Sequence, residues 1–249
     1  MTEVCLFTDS QRFEVSGRTF KTKLNVWYSG VQRAETGGTD VTPLFTLVET
    51  KDVFQRLVGN WLAVSHDLDS VCELFFAPLY ASDVYLEHRF ISFVQALESY
   101  HRRRPEKFRT KQVADEEFVS RIEKVTSPLT DRKLATWLRK KLRHANEVGL
   151  PDRLEELMSL TATIIPRRVR DQDAFIRKAA DTRNYLTHYD PDRRAGTAND
   201  DEMEFMTVVM EAIIAACLLL ELGFEPGQCN EYLHRDLQKV RRYEFYDMI

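Results

Sequence analysis

Thr182-Arg183-Asn184-Tyr185-Leu186-Thr187-His188-Tyr189-Asp190-Pro191 closes a helix, and its reading decides the fold. Upstream, Phe175, Ile176, Ala179 and Ala180 recur at three-and-four spacing from a start near Asp171, which makes the segment amphipathic and helical. Pro191 cannot continue a helix and pushes Asp190 towards an extended backbone, so the helix should end around residues 187–189. That end presents a guanidinium, an amide and an imidazole within two turns. Five residues on an ideal helix turn through ~500°, so Arg183 and His188 diverge by ~140° while the helix runs on. They share a face only if the last turn frays and His188 turns back towards Arg183.

The helical period extends over most of the chain. From Asp52, the residues Val53, Phe54, Leu57, Val58, Trp61 and Leu62 form a core-facing stripe. Residues 72–77 read equally as helix or strand, bounded by Pro78. Ser82-Asp83 opens a long helix through Leu86, Phe90, Phe93, Val94 and Leu97. It ends in Arg102-Arg103-Arg104 before Pro105, where cations suit the helix dipole. Further helices are expected over 116–124, over 131–145 with Leu134, Trp137, Leu138 and Leu142, and over 150–165 with Pro151 in a first turn. Trp61, Phe90, Phe93 and Trp137 fall on apolar stripes and read as core. Asn199-Asp200-Asp201 caps a last long helix that stops at Gly223. Residues 230–249 read as one more short helix.

Residues 1–50 differ. Residues 20–27 alternate apolar and polar, Gly37-Gly38 marks a turn, and residues 43–48 read as another extended piece. This is too little for a stable sheet by itself. The fold class is therefore mainly α: a helical domain over 51–249 behind a short β-containing segment over 1–50. That segment reads as the remnant of a larger N-terminal domain or as a docked appendage.

A net charge of −4 over 249 residues, with pI near 5.9, excludes a polycation that coats nucleic acid through its overall charge. The basic residues are nevertheless clustered: 102–111, 132–143 and 167–170 each carry several. Such a cluster is either a solvated helix face or, where clusters converge in the fold, a phosphate-attracting surface. Cys5, Cys72, Cys217 and Cys229 have no metal-ligand spacing, so neither a zinc site nor a disulfide framework is expected. No signal-peptide pattern opens the chain, and the apolar run 212–220 is too short to span a bilayer, so the cytoplasm is the expected location and no membrane partner is expected. P-loop, metalloprotease and nucleophile-elbow motifs are missing from the sequence.

Cleavage of RNA through its own 2′-hydroxyl needs a base, an acid for the leaving 5′-oxygen and a cation for the phosphorane. No cofactor or metal is required. Histidine, with an unperturbed pKa of ~6.5, suits both proton roles near neutrality. Arginine grips phosphate oxygens with a two-pronged fork of donors. Arg183 and His188 are of the residue types such chemistry needs, and Asn184 can orient the imidazole or donate to phosphate. Tyr185 serves equally for packing or base stacking. The bland alternative pairs Arg183 with Asp181 or Asp190 and leaves His188 as a helix C-cap.

Two stretches resemble one family. Residues 86–103, with Gln95-Ala96-Leu97-Glu98-Ser99-Tyr100-His101, look like the opening helix of the ApeA-like HEPN domain, and residues 182–188 look like its R-N-x3-H motif. The order, the separation and the intervening helical pairs also fit. The resemblance implies a HEPN-type helical bundle and a metal-independent endoribonuclease acting on tRNA or another structured RNA in antiphage abortive infection. It further implies a homodimer in which two copies of His188 divide the acid and base roles. A regulatory domain or a phage-derived trigger would control it. Glu98 and His101, one turn apart on the first long helix, are candidates to support the site. Glu98 would fix the Arg183 guanidinium, and His101 would approach phosphate or the dimer partner. The competing readings are a non-catalytic helical module that binds RNA or protein, and a toxin subunit held inactive by a partner.

Overall fold

Asp200–Leu222, here α9, is apolar on nearly every side, as expected of a helix enclosed by others. The computed structural model of this chain describes residues 12–15, 18–21, 43–81, 84–165, 169–189 and 191–239. The chain divides into two units, Met1–Val41 and Thr42–Ile249. In the first, strands β1 (Arg12–Val15) and β2 (Arg18–Lys21) pair antiparallel, Arg12 opposite Lys21. The expected strand character of residues 22–27 and the turn at Gly37-Gly38 lie outside the described residues.

The second unit is helical among its described residues: α1 (Leu47–Thr50), α2 (Phe54–Val64), α3 (Asp69–Tyr80), α4 (Leu86–Arg102), α5 (Asp115–Thr126), α6 (Arg132–Leu142), α7 (Leu150–Thr161), α8 (Gln172–His188), a 3-10 turn over Pro191–Gly196, α9 and α10 (Pro226–Lys239). At 23 residues α9 is long enough to cross a membrane by length and composition, but 72% of its apolar window is buried. It packs on α4 most extensively and also on α2, α7 and α10, and is the central core helix. Phe90, Phe93, Val94 and Leu97 of α4 meet Met206, Met210, Ile213 and Cys217 of α9 within one continuous core.

Local chemistry sets the boundaries. Asn199 and Glu202 form a reciprocal capping box at the start of α9, and Gly223 ends it in the left-handed region at φ 91°. Residues 43–48 are not a strand: Thr46 and Glu49 cap each other's backbone N–H groups, which starts α1 instead. Residues 72–77 are helical, and the helix runs on through Pro78. Pro78 has no N–H for the Leu74 carbonyl, and the Ser92 hydroxyl of α4 donates to that carbonyl at 2.7 Å instead.

Two expected core stripes are corrected. On α2, Leu57 is buried, but Phe54, Val58 and Leu62 are exposed, because α9 is the main helix packed on α2. On α6, Trp137 and Leu134 are exposed, 55% and 45%, because α6 packs chiefly on α5 alone. Amphipathic periodicity marks an apolar face without saying whether anything covers it.

Candidate active site

Helix α8 starts at Asp171, whose carboxylate accepts from the Ala174 N–H, and ends at His188, with Tyr189 left-handed at φ 50°. Two ties hold it in register. Lys178 is ion-paired with Glu202 of α9, and the buried Thr182 hydroxyl accepts from the Ala198 N–H at 2.9 Å. Arg183 therefore emerges from a fixed position facing α4. Its Nη2 donates to Glu98 Oε2 at 3.1 Å, and its Nη1 donates to the side-chain oxygen of Asn184 at 3.2 Å. Glu98 is 14% exposed and Arg183 30% exposed, so the pair lies at the protein surface with part of the guanidinium open to solvent.

His188 lies at the exposed end of the same helix, and its imidazole makes no hydrogen bond among the described residues. Helical geometry persists through it, so it does not turn back: the ~140° divergence from Arg183 stands. Asn184 faces the guanidinium rather than the imidazole. Tyr185 packs partly against the core and meets Tyr189 edge-on at 5.7 Å.

His101 is corrected. It is 1% exposed and cannot approach a phosphate or a second subunit. Arg153 Nη1 lies 3.1 Å from its Nδ1, and Glu156 Oε2 lies 3.0 Å from its Nε2. A guanidinium only donates, so Nδ1 accepts and the proton sits on Nε2, donated to Glu156. The ring is thus a neutral tautomer, stacked on Phe108 at 4.5 Å. Burial lowers its pKa from the ordinary value and outweighs the opposing pull of Glu156. Burial alone would raise the Glu156 pKa, but hydrogen bonds from Arg109 and His101 bring the carboxyl below its usual range.

Arg153, Glu156 and Arg109 had no signal in the motif, because they come from α7 and from the loop after α4. Only the Arg153-x-x-Glu156 spacing on one helix face hinted at them. They form a charged floor beside Glu98 that fixes α4 on α7. Farther along α4, Glu221 of α9 accepts from Tyr100, Arg104 and Lys107. The first basic cluster is therefore mostly consumed in structural pairs. Arg102, one turn beyond Glu98, remains exposed, and its side chain makes no hydrogen bond or ion pair among the described residues. The arrangement places cations and one open imidazole near a surface where an anion could be gripped.

No curated protein and no solved structure matches this chain. The family model of Apea-like HEPN domains matches residues 91–228, more than half of the chain, from the middle of the first α4 turns to α10. That span contains Glu98, His101 and the whole of α8. With its helical bundle and its R-N-x3-H segment, this chain belongs to the Apea-like HEPN family.

Proposed function

We propose that the chain is a metal-independent endoribonuclease that cleaves tRNA or another structured RNA at an exposed single-stranded loop, in the cytoplasm, as part of antiphage abortive infection. Family membership supports a nuclease and defence role in general. The observation that carries the finer reading is Arg183, anchored by Glu98 yet partly open, on the same helix end as the exposed His188, whose imidazole has no partner among the described residues.

In this reading His188 takes the proton from a ribose 2′-hydroxyl, and the freed 2′-oxygen attacks phosphorus. Arg183 holds the non-bridging oxygens as negative charge builds on the phosphorane. The bond from phosphorus to the 5′-oxygen breaks, leaving a 2′,3′-cyclic phosphate and a 5′-hydroxyl. Protonation of the leaving oxygen falls to the His188 of a second copy, since His101 is buried and neutral.

The test is incubation of the purified chain with total bacterial tRNA in EDTA, beside Arg183→Ala and His188→Ala variants shown by circular dichroism to stay helical. Wild type should give discrete fragments with cyclic phosphate ends, and each variant should lose ~100-fold or more in rate. Equal cleavage by all three proteins would remove the assignment of this site. The absence of cleavage by wild type would favour the binding-module or repressed-toxin reading.

A further inference from the structure

Helix α6, Arg132-Lys133-Leu134-Ala135-Thr136-Trp137-Leu138-Arg139-Lys140-Lys141-Leu142, contains no acidic residue. Arg132, Lys133, Arg139, Lys140, Lys141 and the following Arg143 are all exposed, and among the described residues none has an ion-pair partner. That distinguishes this cluster from the one after α4, whose members are largely paired. Trp137 is 55% exposed in the middle of these cations. Its neighbours on the helix surface, three and four positions away, are Lys133, Leu134, Lys140 and Lys141. An indole among lysine stems can stack on a base while the ammonium groups meet the flanking phosphates.

The arm formed by α5 and α6 is rooted beside the candidate site. Asn146, just past α6, exchanges two side-chain hydrogen bonds of 3.0 Å with the Val113 backbone. Close by, Arg109 is paired with Glu156, which holds His101 one turn from Glu98. His144 bonds Glu147 at 2.7 Å, and the Glu147 carboxyl, lowered first by that bond, also feels Arg102 and Arg153. The residues just past α6 thus lie near Arg102 and Arg153, and α6 itself is ~16 Å long.

We infer that α6 is a docking arm for single-stranded RNA, with Trp137 as its stacking platform and Lys133, Lys140 and Lys141 as its phosphate contacts. The inference rests on the ribonuclease reading for the identity of the polyanion. Charge complementarity favours a strand over a bilayer: the apolar part of the exposed face is one indole and one leucine, too narrow for an interfacial helix to bury.

The measurement is fluorescence anisotropy of a labelled oligouridylate of roughly a dozen nucleotides, titrated with the full chain carrying His188→Ala so that cleavage does not intervene. Adding Trp137→Ala should weaken binding ~10-fold, and Trp137→Phe should restore most of it. Lys140→Ala with Lys141→Ala should reduce the slope of log affinity against log salt by about 1.4. Unchanged affinity in these variants overturns the proposal. So does a chain that leaves the oligouridylate unbound and binds phosphatidylserine vesicles through α6. Binding through α6, with no tRNA cleavage by the wild-type chain, would favour the binding-module or repressed-toxin reading and leave the arm. Intact cleavage with binding indifferent to α6 would do the reverse.

Discussion

His101 sits between a group that can only donate and a group that accepts, and this fixes its protonation state in the folded chain. In the unfolded chain it titrates near 6.5, whereas burial moves the folded value lower. Between those two values the unfolded chain holds the extra proton, so stability falls as pH drops below ~6.5. Glu156, whose folded pKa is also lowered, adds a loss of the same sign at more acid pH, as the carboxylate protonates. Urea unfolding free energy measured from pH 7 to 5 should therefore decline. In His101→Gln the decline should be shallower by up to ~1.4 kcal/mol per pH unit. Parallel curves for the two proteins would mean that the imidazole is not held neutral. At this scale the sequence could be read unevenly. Glu98 and Arg183 lie in the two stretches that resemble the family, and their contact is the one a motif reading anticipates. The fate of His101 depended on α7, some fifty positions away, and no local pattern distinguishes an inward from an outward histidine near a helix end.

Among the elements, helix ends were the most legible, because capping is local chemistry. Asp171, Asn199 and Gly223 each stand where their residue type puts them. The faces were less legible. The stripes of α2 and α6 have the spacing of core helices, and the number of helices packed on each decided the outcome. Gly223 links both levels. Its left-handed backbone ends α9, and its carbonyl and that of Leu222 accept from Arg56 and Asn60 of α2 at 2.6 and 2.9 Å. A Cβ there would lie 2.5 Å from the Asn60 amide nitrogen and 2.7 Å from an Arg56 guanidinium nitrogen. Gly223→Ala thus strains the backbone and displaces the two side chains that satisfy the last carbonyls of α9. It should cost ~1–3 kcal/mol, read as a lower urea midpoint with an unchanged m-value. An unaltered midpoint would mean that α2 does not cap α9 in this way.

For the whole molecule, the difficulty is one of number. General acid–base cleavage needs two proton-transfer groups, and the chain offers one open imidazole at the motif while burying His101. Arg183 and His188 also point ~140° apart on one helix, so a single surface does not present both squarely. A two-fold assembly that brings two α8 ends together answers both problems, because each copy supplies the residue the other lacks. This makes a quantitative demand. If a cut requires both copies of His188, a mixed dimer of wild type and His188→Ala is inactive. Co-expression of the two chains in equal amounts, followed by purification of the mixture, should then leave about a quarter of the wild-type specific activity, the share of fully wild-type pairs. Chains that cut independently would retain about half. The tRNA cleavage assay distinguishes the two values directly, and a linear dependence on the wild-type fraction would leave each protomer to find its acid elsewhere.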